Sequence, residues 1–137
     1  MDSNTQPAPE QLAAIAQEKY DQMWKALEEK QKTIEQNLKK RVVPIVIKDI
    51  ATPNEYVTGF MYRPDLVTQL KLSDKGQELA TGFSQVAAHE VLLSNILRAE
   101  TDPRITPDTE EGELYWKAAI VCLYEYIKSA VPVLKKN

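Results

Sequence analysis

One cysteine, one histidine and four scattered glycines leave this 137-residue chain with little of the material from which catalytic and cofactor sites are made. A lone Cys122 excludes a disulfide within the chain and fits a reducing compartment. It sits in the apolar stretch from Ala118 to Tyr126 with no basic neighbour there to lower its pKa, so it reads as a small buried hydrophobe rather than a nucleophile. The run His89-Glu90-Val91-Leu92-Leu93 lacks the second histidine that a zinc-protease helix presents one turn later, so His89 reads as an ordinary helix residue. Widely spaced glycines exclude a phosphate-cradling loop or a dinucleotide fingerprint. No apolar run approaches the roughly 20 residues of a membrane-spanning helix, and the opening MDSNTQPAPEQ lacks the basic and then apolar regions of a signal peptide. The expectation is a soluble protein made in a cytoplasm, with no catalysis, cofactor, metal, membrane or small-molecule substrate.

Charge of one sign is also missing: 17 basic against 20 acidic residues give a net charge of -3, too little for a field that draws nucleic acid or anionic lipid. Two local imbalances exist. Lys30, Lys32, Lys39, Lys40 and Arg41 face only Glu35 in their window, while Arg98 to Glu113 holds six acids and two bases. The basic window has no interleaved aromatics on which bases could stack, which favours a solvated helix end or an acidic protein partner over nucleic acid. Surfaces of opposite sign suit oriented packing between copies. Glu110, Glu111 and Glu113 fit the first turn of a helix better than a catalytic pair, which needs one buried member.

What is present is a core-forming composition, 43% hydrophobic and 27% charged, in a length suited to one domain. The pattern predicts an α+β, mainly helical chain: a long N-terminal helix, a β-hairpin, then about three helices. Residues 1–8 are polar and read as a flexible start. A helix over 9–41 begins at Pro9, where a missing N–H costs nothing, and at nearly 50 Å it should project. Its residues Tyr20, Trp24, Leu27, Ile34 and Leu38, with Gln31 as the polar member, follow coiled-coil spacing. Either the chain's own core or a partner helix can cover that stripe. A compact unit over 42–131 follows. Val42–Ile47 and Tyr56–Tyr62 read as a hairpin, with Tyr56, Thr58, Phe60 and Tyr62 on one face. Pro44 guards one edge, and nothing comparable guards the strand from Tyr56 to Tyr62. The aromatic face of Tyr56, Phe60 and Tyr62 is therefore a second expected protein contact, the alternative being that it covers the helix from Phe83 to Ala99.

Leu66, Val67 and Leu70 begin a short helix expected to fade near Ser73, with Gly76 and Gly82 weakening the stretch that follows. The helix Phe83–Ala99 is expected to turn Val86, Ala87, Leu92, Leu93, Ile96 and Leu97 inward. A two-proline loop over 101–108 leads to a last helix, capped by Thr106 or Asp108, running through Leu114, Ala118, Val121, Cys122, Tyr126 and Ile127 to about Ala130. Pro132 is expected to end it, leaving a basic tail over 132–137.

Three stretches carry a family resemblance: Gly59-Phe60-Met61-Tyr62-Arg63-Pro64, Ala87-Ala88-His89-Glu90-Val91-Leu92-Leu93 and Glu100-Thr101-Asp102-Pro103-Arg104-Ile105. Together with the order of elements over about 42–128, they resemble small structural or tail-assembly proteins of tailed bacteriophages, especially phages of gut Bacteroidetes. The resemblance implies a non-enzymatic, oligomeric role in building or joining virion parts, with copies of the chain and other virion or assembly proteins as partners. It places the chain in a host cytoplasm and then in the virion. The long N-terminal helix departs from the compact tail-assembly chaperone pattern and favours a particle component. A bacterial cytoplasmic interaction or regulatory module is the reading from a different class.

Overall fold

Two strands alone are marginal in water, and because both faces of this hairpin are apolar both must be covered, a requirement that organises the molecule. A computed structural model describes residues 8–78 and 85–135. The elements are α1 (Pro9–Leu38), β1 (Val42–Lys48), β2 (Tyr56–Tyr62), α2 (Leu66–Glu78), α3 (Gln85–Asn95) and α4 (Glu110–Lys135), with one 3-10 turn at Arg98–Glu100. β1 and β2 pair antiparallel, from Val42 opposite Tyr62 to Lys48 opposite Tyr56. In the connecting turn Asn54 takes the left-handed conformation, φ 62°, which a short polar side chain tolerates.

Alternation along the strands sends Val42, Val46, Phe60 and Tyr62 to one face and Ile45, Ile47, Val57 and Met61 to the other. The first face lies under the second half of α1, where Leu27 and Ile34 close over Val42 and Phe60. The second carries the larger core, completed by Leu72 from α2, Ala88 and Leu92 from α3, and Trp116, Ala119, Leu123 and Ile127 from α4. The sheet is thus the middle of three layers, and the Phe60 face meets α1 rather than the α3 helix. Length fits this: the 11-residue α3 is shorter than the seven-residue strands it would have to cover, whereas α1 is longer.

The open edge expected on β2 is closed. The chain leaves α3 at Asn95 instead of continuing to Ala99, because residues 96–102 turn back along β2. Ile96 bridges to Met61, the Leu97 N–H donates to the Phe60 carbonyl at 2.8 Å, and the Asp102 N–H donates to the Thr58 carbonyl at 2.9 Å. The Phe60 N–H donates to Thr101 Oγ1 at 3.1 Å. β1 is closed by side chains: Glu35 accepts the Val42 N–H at 2.9 Å, Gln31 donates to the Val42 carbonyl at 2.9 Å, and the Cys122 thiol donates to the Val46 carbonyl at 3.3 Å. Pro44 has no donor to leave open.

Other boundaries differ from the sequence reading for identifiable reasons. α2 runs past Ser73 to Glu78, and the first residues of the helix expected from Phe83 lie outside the described residues. Val86 and Leu93 point outward, because α3 turns Ala88 and Leu92 to the core. In α4 the inward stripe is Tyr115/Trp116, Ala119, Leu123 and Ile127, while Leu114 and Val121 are each 55% exposed. The stripe lies one position away from the one expected, since the two aromatic residues bury more area than the leucine beside them. The α4 cap is Thr109, whose hydroxyl accepts the Gly112 N–H at 2.9 Å; Thr106 and Asp108 bond each other in the preceding loop. Pro132 does not stop α4, which continues to Lys135 in place of a separate tail. A proline inside a helix removes one hydrogen bond without forbidding the next turn.

Gly59 shows how tightly the returning segment presses on β2. A Cβ there would lie 2.5 Å from Thr101 Cγ2 and 2.7 Å from its Oγ1. Gly59→Ala is therefore expected to lose about 1–3 kcal/mol, as overpacked cores do, read as a lowered urea midpoint. Combined with Thr101→Ala, the loss should be less than additive, and an unchanged midpoint in Gly59→Ala would show that the segment does not press on the strand.

Candidate functional site

The residues expected at protein contacts separate into two groups. Leu27, Ile34 and Phe60 are core: Phe60 is fully buried, and all three are closed over by the chain's own layers. They cannot present a surface to another protein, because the hairpin needs α1 on this face. Tyr20, Trp24 and Tyr56 gather at the rim, with Tyr20 edge-on to Trp24 at 6.3 Å and to Tyr56 at 5.9 Å. Trp24 is half-buried, and its indole N–H has no acceptor among the described residues. Tyr62 is half-buried under the Lys40 ammonium, 5.1 Å from its ring centre, and Leu38 is exposed at the far end of α1.

α1 is attached to the body only from Lys19 onward, where Lys19 pairs with Glu55 at 3.2 Å beside the Tyr20 and Tyr56 rings. From Pro9 to Glu18 every residue except Ala16 is exposed. Leu12 and Ile15, 47% and 43% exposed, are one turn apart and form a small apolar patch beside the line of the stripe whose later members are core. This overhang of about 15 Å begins at Pro9, with Gln11 accepting the Ala8 N–H at 2.9 Å. The projecting part is therefore the first third of the helix.

Between α1 and α4, along the outer edge of β1, runs an open groove of about 720 Å³. Trp24, Val42, Pro44, Val46 and Val121 supply its apolar lining, and Arg41, Arg63 and Glu125 supply charge. Arg63 is steadied by donating from Nε to the Tyr126 hydroxyl at 2.9 Å. The groove was not foreseen, since it joins residues from three distant segments. The basic window is partly engaged within the chain: Lys30 pairs with Glu100 at 3.6 Å and lies 5.7 Å from the centre of the Phe60 ring.

A polar cluster at the hairpin turn also escaped the sequence reading. The Asp49 carboxylate, its side chain 4% exposed, accepts from the Tyr115 hydroxyl at 2.8 Å, from the Ala51 N–H at 3.1 Å and from Arg104 Nη1 at 3.5 Å. Arg104 also grips Asp102 through Nη2 at 2.9 Å and Nε at 3.1 Å. The Tyr115 hydroxyl and the Ala51 amide hold the Asp49 carboxyl below its ordinary range, and Arg104 does the same for Asp102. In the cleft beside it, lined by Ile50, Pro103, Leu114 and Tyr115, Arg104 is shared between two carboxylates. This cluster ties the turn to the start of α4.

His89 accepts from Trp116 Nε1 at its Nδ1, 2.8 Å away, so it helps to seat a core indole. Cys122 is held as a thiol, its pKa pushed up by burial. Among the described residues no three His, Cys, Asp or Glu side chains are grouped to hold a metal ion, and no helix is long and apolar enough to cross a membrane. Comparison with protein-family models, curated proteins and solved structures finds no match.

The Asp49 cluster makes stability depend on acid. Its folded pKa is depressed, so its contribution is present above the ordinary carboxylate pKa and is lost as pH falls through the folded value. Asp49→Asn is expected to lower the thermal midpoint at pH 7 and to converge with the parent chain as pH drops below the carboxylate range. Parallel midpoints at every pH would show that the charge of Asp49 has no part in holding the turn.

Proposed function

We propose that the chain is a non-enzymatic protein-binding component of phage particle structure or assembly, acting through contacts with its own copies and with other virion or assembly proteins. The observation that carries the reading is the α1 overhang, which carries Leu12 and Ile15, one turn apart, out into solvent. An apolar stripe on an unpartnered helix is the form in which helices enter a partner's groove. The groove beside β1 gives the same molecule a concave surface for such a contact. The choice of a phage setting is supported by the three sequence stretches described above, and the projecting helix favours a particle component over a tail-assembly chaperone.

Leu12→Asp with Ile15→Asp changes only exposed side chains, so stability should move by no more than about 0.5 kcal/mol. Mass spectrometry of purified particles should find the parent chain and lose this variant. A parent chain absent from both particles and assembly intermediates would end the phage reading and leave the cytoplasmic interaction module.

A further inference from the structure

We infer that the partner of the overhang is a second copy of this chain: Pro9–Glu18 of one copy lies in the β1 groove of the other, and the exchange is reciprocal. This rests on the protein-binding reading above and names the partner. The overhang cannot reach its own groove, because it is a straight continuation of the helix that forms one wall. A second copy meets no such obstacle. Two antiparallel α1 helices bring each overhang alongside the partner's Trp24–Arg41 half, where the groove lies.

Charge supports that orientation. Pro9–Glu18 carries Glu10 and Glu18 and no base, whereas Trp24–Arg41 carries six bases, of which Lys30 is paired with Glu100, against Glu28, Glu29 and Glu35. The groove itself adds Arg63 against Glu125. A parallel arrangement would set the acidic overhangs against each other and leave both grooves empty. Leu12 and Ile15 supply the apolar surface, and Val46, Pro44 and Val121 receive it. Reciprocal insertion has two-fold symmetry, makes the contact twice and leaves no open end for a fibre.

The test uses the full chain and two variants altered at exposed positions. The first, Leu12→Asp with Ile15→Asp, has a damaged overhang and an intact groove. The second, Val121→Glu, has an intact overhang and a groove whose mouth repels Glu10 and Glu18. Light scattering should find the parent chain as a dimer and each variant at least tenfold weaker in self-association. An equimolar mixture should associate more tightly than either variant alone and less tightly than the parent chain, since the mixed pair keeps one of the two contacts. Trp24 should report the event through a concentration-dependent fluorescence shift that Trp24→Phe abolishes. A mixture no tighter than either variant alone, or a parent chain still monomeric at about 100 μM, overturns the inference. Particle incorporation would still decide the wider reading, because a monomeric chain can bind other virion proteins.

Discussion

Everything in this fold answers to a hairpin that cannot stand alone. Seven paired residues in each strand satisfy only the inward-facing amides, and both faces are apolar. The molecule must therefore supply two covering layers and two edge closures. α1 is one layer; α2, α3 and α4 together form the other. Burial of Phe60 under α1 is the contact that makes the arrangement a sandwich instead of a hairpin resting on helices, since losing a phenylalanine from such a position costs about 3–5 kcal/mol. The long helix is thereby committed to the body over its second half, and what remains of it is free for other work.

Edge closure uses polar groups that each do one specific thing. Gln31 and Glu35, one turn apart on α1, reach the two backbone groups of Val42, while Thr101 and the backbone around it serve Phe60 and Thr58. Hydrogen bonds of this kind contribute modestly when made, but a buried amide left unpaired costs about 1–3 kcal/mol. That asymmetry explains why α3 stops at Asn95: a further helical turn would have satisfied its own amides and abandoned those of β2.

The hairpin, the long first helix and the two-proline loop were legible because each is signalled within a short window: alternation, 3.6-residue periodicity, and residues unable to continue a helix. The stripe through Tyr20, Trp24, Leu27, Ile34 and Leu38 was legible as a pattern but not as a destination, since spacing says which residues share a face and not what covers them. Gln31 looked like a flaw in a coiled-coil seam and is instead the donor to Val42. The Asp49–Tyr115–Arg104 cluster was invisible because its members are 55 and 66 residues apart and each is ordinary in its own neighbourhood. The groove beside β1 was hidden for the same reason, while Leu12 and Ile15 were in plain view on the first helix.

Order of synthesis gives the three-layer arrangement a temporal side. Residues 9–62 leave the ribosome with α1 able to cover one face of the sheet at once. The other face, with Ile45, Ile47, Val57 and Met61, waits for α2, α3 and finally α4. At roughly 5–20 residues per second, the roughly 65 residues from Arg63 to Ile127 take on the order of 3–13 seconds to appear. Until α2, α3 and residues 96–102 emerge, the second face of the sheet is bare and β2 lacks the segment that closes its edge. Pro44 is already in place, so the nascent chain has one blunted edge from the moment β1 emerges.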